Sequence, residues 1–158
     1  MKINNSKAVL IESARMITKP SRETANEYAD ATQIMATEVS RTMESSDELS
    51  ACFNDVLDSN LQQTMRDNHI NHANFIASLL TSFQAEVLVN TVIWVFSAYE
   101  AHGFRSKYWN LQLRTWRHVI NRHLSIPAIE ELMPLYDWLI AHIDDFHSVA
   151  MSLRENEE

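Results

Sequence analysis

Glycine is almost missing from this chain: Gly103 is the single instance in 158 residues. Two-residue hairpins and phosphate-cradling loops need the backbone freedom that glycine supplies. Its scarcity therefore excludes a hairpin-built β fold, a Gly-x-Ser-x-Gly nucleophile elbow and a dinucleotide fingerprint at one stroke. Cysteine is equally scarce. Cys52 stands alone, which removes an intramolecular disulfide and a thiolate zinc site. Between Ala51 and Phe53 it reads as a small buried hydrophobe, and a lone thiol suits a reducing cytoplasm. Basic residues are outnumbered, 13 Lys and Arg against 21 Asp and Glu, for a net charge of −8. That balance argues against nucleic acid as a partner. Long hydrophobic runs are absent too: Val87 to Ala98 is the most apolar stretch, and Asn90, Thr91 and Ser97 interrupt it. It is too short to span a bilayer, and no apolar leader follows Met1. The expectation is a cytoplasmic protein without membrane insertion.

What the chain does have is helical periodicity. Six segments carry apolar residues at helical spacing, and no strand pattern or internal repeat is present. Residues 1–19 read as an extension or one short helix, Ser6 to Thr18, stopped ahead of Pro20. A second helix starts near Ser21 and carries Tyr28, Met35, Val39 and Met43. Ser45 and Glu48 form a capping box that predicts a helix through Leu49, Cys52, Phe53, Val56 and Leu57. Met65, His69, His72, Ile76 and Leu79 make the next stripe, with a break expected near Asp67–Asn68. Leu88, Val92, Val95, Tyr99 and His102 share a face of a helix that ends at Gly103. Tyr108, Trp109, Leu113, Trp116 and Ile120 mark another. A last helix starts at Ser125–Pro127 and runs to Leu153, with Pro134 inside it and residues 154–158 fraying. The fold class is all-α, a single domain over 1–158.

Seven histidines invite a metal site. No glutamate stands three residues ahead of any of them, which rules out the Glu-x-x-His pairs of di-iron bundles, and His-Glu-x-x-His is missing. His69 and His72 share a face and have ligand spacing, but no second cluster completes a coordination shell, so satisfied buried rings are the plainer reading. The carboxylate pairs Glu130–Glu131 and Asp144–Asp145 point different ways on their helices and read as solvated. The cations from Arg105 to Arg122 are interrupted by Trp109, Leu113 and Trp116, the pattern of one helix's wet face rather than an anion site. No catalysis is expected. Two faces, one with His69 and His72 and one with Tyr99 and His102, place polar-headed rings among apolar residues. Packed together they predict a mostly apolar ligand pocket; packed apart, each ring simply buries its body at the edge of the core.

The stretch Val95 to Trp116 resembles the junction of the F and G helices in globin-type sensor domains, the globin-coupled sensors and the stressosome-type sensors. Gly103, Phe104, Tyr108, Trp109 and Trp116 carry the resemblance. It implies a globin-like fold, with an up-and-down bundle as the alternative, and a sensory or regulatory domain. It also implies haem as a possible cofactor, with His102 or Tyr99 as axial ligand and His69 and His72 on the distal wall. Tyr99 stands where haem-binding members carry histidine; the haem-free stressosome branch accommodates it. A sensory domain of this kind is expected to signal through a homodimer interface built from its last two helices and anchored by Trp109, Trp116, Tyr136 and Trp138, aromatic residues being enriched at interface cores. The competing expectation is a ligand-free helical adaptor or anti-regulator that binds a protein signalling partner.

Overall fold

The protein, here a computed structural model, is described over residues 2–157. Its helices are α1 (Lys2–Ala14), α2 (Arg22–Glu44), α3 (Ser59–Thr81), α4 (Ala85–Ala101), α5 (Ser106–His123), α6 (Ile126–Ala141) and α7 (Ile143–Glu157). A short 3-10 turn, Leu49–Cys52, lies between α2 and α3, and no strand forms among the described residues. The chain is all-α. Local chemistry sets several of the helix starts. Ser21 caps α2 by accepting from Thr24 N, Asp58 caps α3 through Leu61 N, and Ser125 caps α6 through Ala128 N.

Two of those caps are tied to each other. The Glu131 carboxylate of α6 accepts from Ser21 N, Ser21 Oγ and Thr24 Oγ1 at the start of α2. Glu27 of α2 accepts from Ser125 N and Oγ at the start of α6. Each helix thus places a carboxylate at the positive end of the other. Glu131 is therefore no idle solvated group, and its hydrogen bonds from Thr24 and Ser21 hold its carboxyl below the usual range.

Five boundaries differ from the sequence expectation. The capping-box segment makes only the 3-10 turn. Beyond it Phe53 pairs with Phe104 in an isolated antiparallel bridge, Asn54 N donates to Gly103 O, Arg105 N donates to Cys52 O, and Val56 is left 91% exposed. Those tertiary bonds, with the Phe53 ring edge-on to Phe104 at 4.9 Å, override the local helix signal. The break near Asp67–Asn68 does not occur, because Asn68 is buried against α5 rather than turned to water. The long last helix is two helices. At His142 the imidazole Nδ1 bonds the Trp138 carbonyl at 2.7 Å, and the backbone N–H shifts to Leu139 O. A side chain that competes for its own helix's carbonyl interrupts the ladder. Finally, α1 begins at Lys2, and α7 stays helical through Glu157 where fraying was expected; Glu158 lies outside the described residues.

Packing centres on α5, which lies against α2, α6, α7 and the 3-10 turn. It buries Tyr108, Trp109, Trp116, Val119 and Ile120, while Arg105, Lys107, Arg114 and Arg122 stay on the wet side. Helices α3 and α4 are consecutive, but α3 packs on α2 whereas α4 packs on α1 and α7. No helix among the described residues is long and apolar enough to cross a membrane.

Candidate functional site

The end of α4 is a Schellman stop. Gly103 adopts φ +93°, its N–H donates to Glu100 O at 3.1 Å, and Phe104 N donates to Tyr99 O at 3.2 Å. The companion apolar contact is present: the Tyr99 and Phe104 rings meet edge-on at 5.2 Å. This joint turns the chain into α5 and fixes Tyr99, Phe104, Tyr108 and Trp109 as one aromatic cluster, with Tyr99 edge-on to Trp109 at 5.9 Å.

In the space between α3, α4 and α5 lies a cavity of about 240 Å³. Its walls are chiefly apolar, with Phe75 and Ile76 from α3, Val92 and Val95 from α4, and Trp109 and Leu113 from α5. Asn68, His72 and Gln112 supply polar atoms deep in it, and no charged side chain lines it. Two lining residues, Asn71 and Trp94, are exposed and mark its mouth.

Two buried hydrogen-bond chains run behind the α3 wall. In the first, Ser40 Oγ lies 2.7 Å from His69 Nδ1, and His69 Nε2 lies 3.1 Å from the Tyr108 hydroxyl. Tyr108 donates to Asn68 Oδ1 at 2.7 Å, and Gln112 Nε2 donates to the same oxygen at 3.1 Å. A phenol has one proton. Because Tyr108 gives its proton to Asn68, it must accept from His69 Nε2–H, which leaves Nδ1 to accept from Ser40. In the second chain, His72 Nε2 lies 2.9 Å from the Tyr136 hydroxyl, which lies 2.9 Å from the Tyr28 hydroxyl. The His72 ring also packs on Trp116 at 4.8 Å. Burial pushes both imidazoles down to about 3, with the neighbouring His72 adding to the effect at His69. Burial likewise pushes the Tyr28, Tyr108 and Tyr136 phenols up. Every ring in both chains is neutral at physiological pH.

The candidate residues divide accordingly. His72 and Tyr99 line the same cavity. His69 is fully buried behind it with both nitrogens bonded, and His102 is exposed at the C-cap of α4, away from the cavity. Trp109, Trp116, Tyr136 and Trp138, expected at a dimer interface, are core residues with at most 9% exposure. Their apolar bodies are already covered by this chain's own helices, so they cannot anchor a partner. The large ring that does reach solvent is Trp94, 67% exposed, which periodicity did not single out. Asn68 reads from sequence only as part of a helix break, and apolar periodicity alone does not bring out Gln112 as a wall residue. Gln112 sits midway in the stripe Tyr108, Gln112, Trp116, and a polar residue inside an apolar stripe is the signal that marks it.

Haem does not suit these residues. Of the axial candidates, His102 lies outside the cavity, while Tyr99 is half-buried and packed edge-on to two rings. No cationic side chain lines the cavity to pair with propionates. Nor do three or more His, Cys, Asp or Glu side chains cluster as metal ligands among the described residues. Cys52 is buried, and that burial pushes its thiol up, away from the nucleophilic thiolate. Compared with protein-family models, curated proteins and solved structures, the chain matches none.

Proposed function

We propose that this chain is a sensory or regulatory domain that binds a small molecule in the cavity between α3, α4 and α5 and performs no catalysis. One observation carries the reading: about 240 Å³ of mostly apolar space, with buried polar groups at its inner wall, in a core otherwise filled by large rings. Protein interiors rarely leave such a void. At about 24 cal/mol per Å³, an unfilled cavity of this size forgoes up to about 6 kcal/mol of packing, the wet mouth lowering that figure. A ligand recovers part of it. The volume lies near the lower end of ligand sites, which favours a small compound over a cofactor of haem's breadth. The sensory role assigned to the chain rests on the resemblance of residues 95–116 to globin-type sensor domains.

The test is nuclear magnetic resonance of the indole N–H groups of Trp94 and Trp109 during titration with small aromatic hydrocarbons. Saturable shifts are expected, and they should vanish in Val95→Trp, which fills the space. Unshifted indoles, or equal binding by a folded Val95→Trp protein, would overturn the reading.

A second reading, signalling through a homodimer, is favoured by Trp94 and Val87, 67% and 44% exposed and seven residues apart on one face of α4. Light scattering at micromolar concentration is expected to give twice the chain mass. A monomer there removes it.

A further inference from the structure

The direction of the hydrogen bonds behind the cavity determines what the cavity offers a ligand. Tyr28 is fully buried on α2, and its hydroxyl has one partner among the described residues, Tyr136. A buried donor without an acceptor is costly, so Tyr28 gives its proton to Tyr136. Tyr136 has one proton of its own and two partners. Having accepted from Tyr28, it donates to His72 Nε2, 2.9 Å away. A neutral imidazole whose Nε2 accepts must carry its proton on Nδ1. The relay Tyr28→Tyr136→His72 therefore fixes the tautomer from two helices away, much as an outer partner fixes a metal-bound histidine.

His72 Nδ1–H makes no hydrogen bond to the described residues. It is not sealed off either: among the described residues the buried side-chain polar atoms without a hydrogen-bond partner are Glu100 Oε2, Trp109 Nε1, Trp116 Nε1 and Arg117 Nε, and His72 Nδ1 is not one of them. His72 lines the cavity, so the cavity is where that donor opens. An anion entering here would be desolvated with no cation to meet it, and a cation with no carboxylate. An apolar cavity of about 150 Å³ holds benzene, so about 240 Å³ takes a substituted ring.

Resting on the ligand-binding reading above, we infer that the site selects a small, neutral, mainly apolar molecule bearing one hydrogen-bond acceptor, a carbonyl or ether oxygen, which it reads through His72 Nδ1–H. The acceptor gives orientation and the walls give affinity. The donor is aligned by Tyr136 on α6 and, through it, by Tyr28 on α2.

Three probes of similar size test this: ethylbenzene, acetophenone and benzoate, titrated calorimetrically at neutral pH into the wild-type chain and His72→Phe. Partitioning from water favours ethylbenzene, so the informative quantity is the ratio of acetophenone to ethylbenzene affinity. That ratio is expected to fall about tenfold in His72→Phe, and benzoate is expected not to bind either protein. An unchanged ratio, or benzoate binding as well as acetophenone, overturns the inference while leaving the cavity as a ligand site. If none of the probes binds, the ligand-binding reading fails and takes this inference with it. A measurement on the wild-type chain covers a variant that fails to fold: ¹⁵N spectra of the histidines should show His72 with a protonated Nδ1 and a bare Nε2. The opposite tautomer overturns the inference by itself.

Discussion

Tyr136 holds two hydrogen bonds with a single proton, and its position in the middle of a chain makes its removal different from that of its neighbour. Tyr136→Phe strands the fully buried Tyr28 hydroxyl without an acceptor and leaves Nε2 of the half-buried His72 without a donor. Each group left unsatisfied in this way costs about 1–3 kcal/mol. Tyr28→Phe removes only the terminal donor and leaves Tyr136 still donating to His72, so its cost is about 1 kcal/mol or less. The predicted order is Tyr136→Phe well below Tyr28→Phe in stability, read from urea midpoints at constant slope. Equal losses would mean that the protons run the other way. The residue scale is also where sequence reading reached least far. His69 and His72 are legible as a face of a helix, but their partners are not. Tyr28 and Tyr136 are 108 residues apart and Ser40 and His69 are 29 apart, and periodicity shows which face is buried without showing what it meets.

At the scale of elements, Gly103 does two jobs that the sequence announced only in part. Its scarcity value pointed to a helix stop, and the stop is a Schellman motif at φ +93°. The other job, accepting Asn54 N so that the 3-10 segment docks beside Phe104, depends on chain arriving from fifty residues earlier and has no local signature. A Cβ at this position would meet Asn54 Cβ at 3.7 Å, ordinary contact. Space is thus not the obstacle; backbone conformation is. Gly103→Ala is predicted to destabilise by about 1–2 kcal/mol, the penalty for a left-handed L-residue, while Asn54→Ala in the same loop leaves that strain unchanged. Thermal or chemical unfolding of the two variants checks this, and a Gly103→Ala protein as stable as the parent would show that the joint relaxes. The helix starts at Ser21 and Ser125 were legible because capping is local. The split at His142 was not, because an imidazole that bonds a carbonyl one turn back looks no different in sequence from one facing water.

For the whole molecule, an acidic chain whose core holds two neutral imidazoles should fail in acid earlier than its carboxylates alone dictate. The direction follows from proton counts. Above an ordinary imidazole pKa of 6.5 neither state binds a proton at His69 or His72, and folding is not opposed. Below it the unfolded chain takes up protons that the folded chain cannot accept until about pH 3. Stability therefore falls as pH drops from 6.5 toward 3, by about 1.4 kcal/mol per pH unit for each ring. Both rings together give on the order of 4 kcal/mol between pH 6.5 and 5, a large share of a typical domain's stability. The perturbed carboxylates act at lower pH, since hydrogen bonds from His123, Arg15 and Thr24 hold Glu38, Glu86 and Glu131 below their ordinary value of 4.5. Urea unfolding at pH 7.5, 6 and 5 is thus expected to show a steep loss across the imidazole window, and His72→Phe should roughly halve its slope. A flat profile over that range would mean that the rings titrate in the folded chain, and so that the walls of the cavity are wetter than their burial implies.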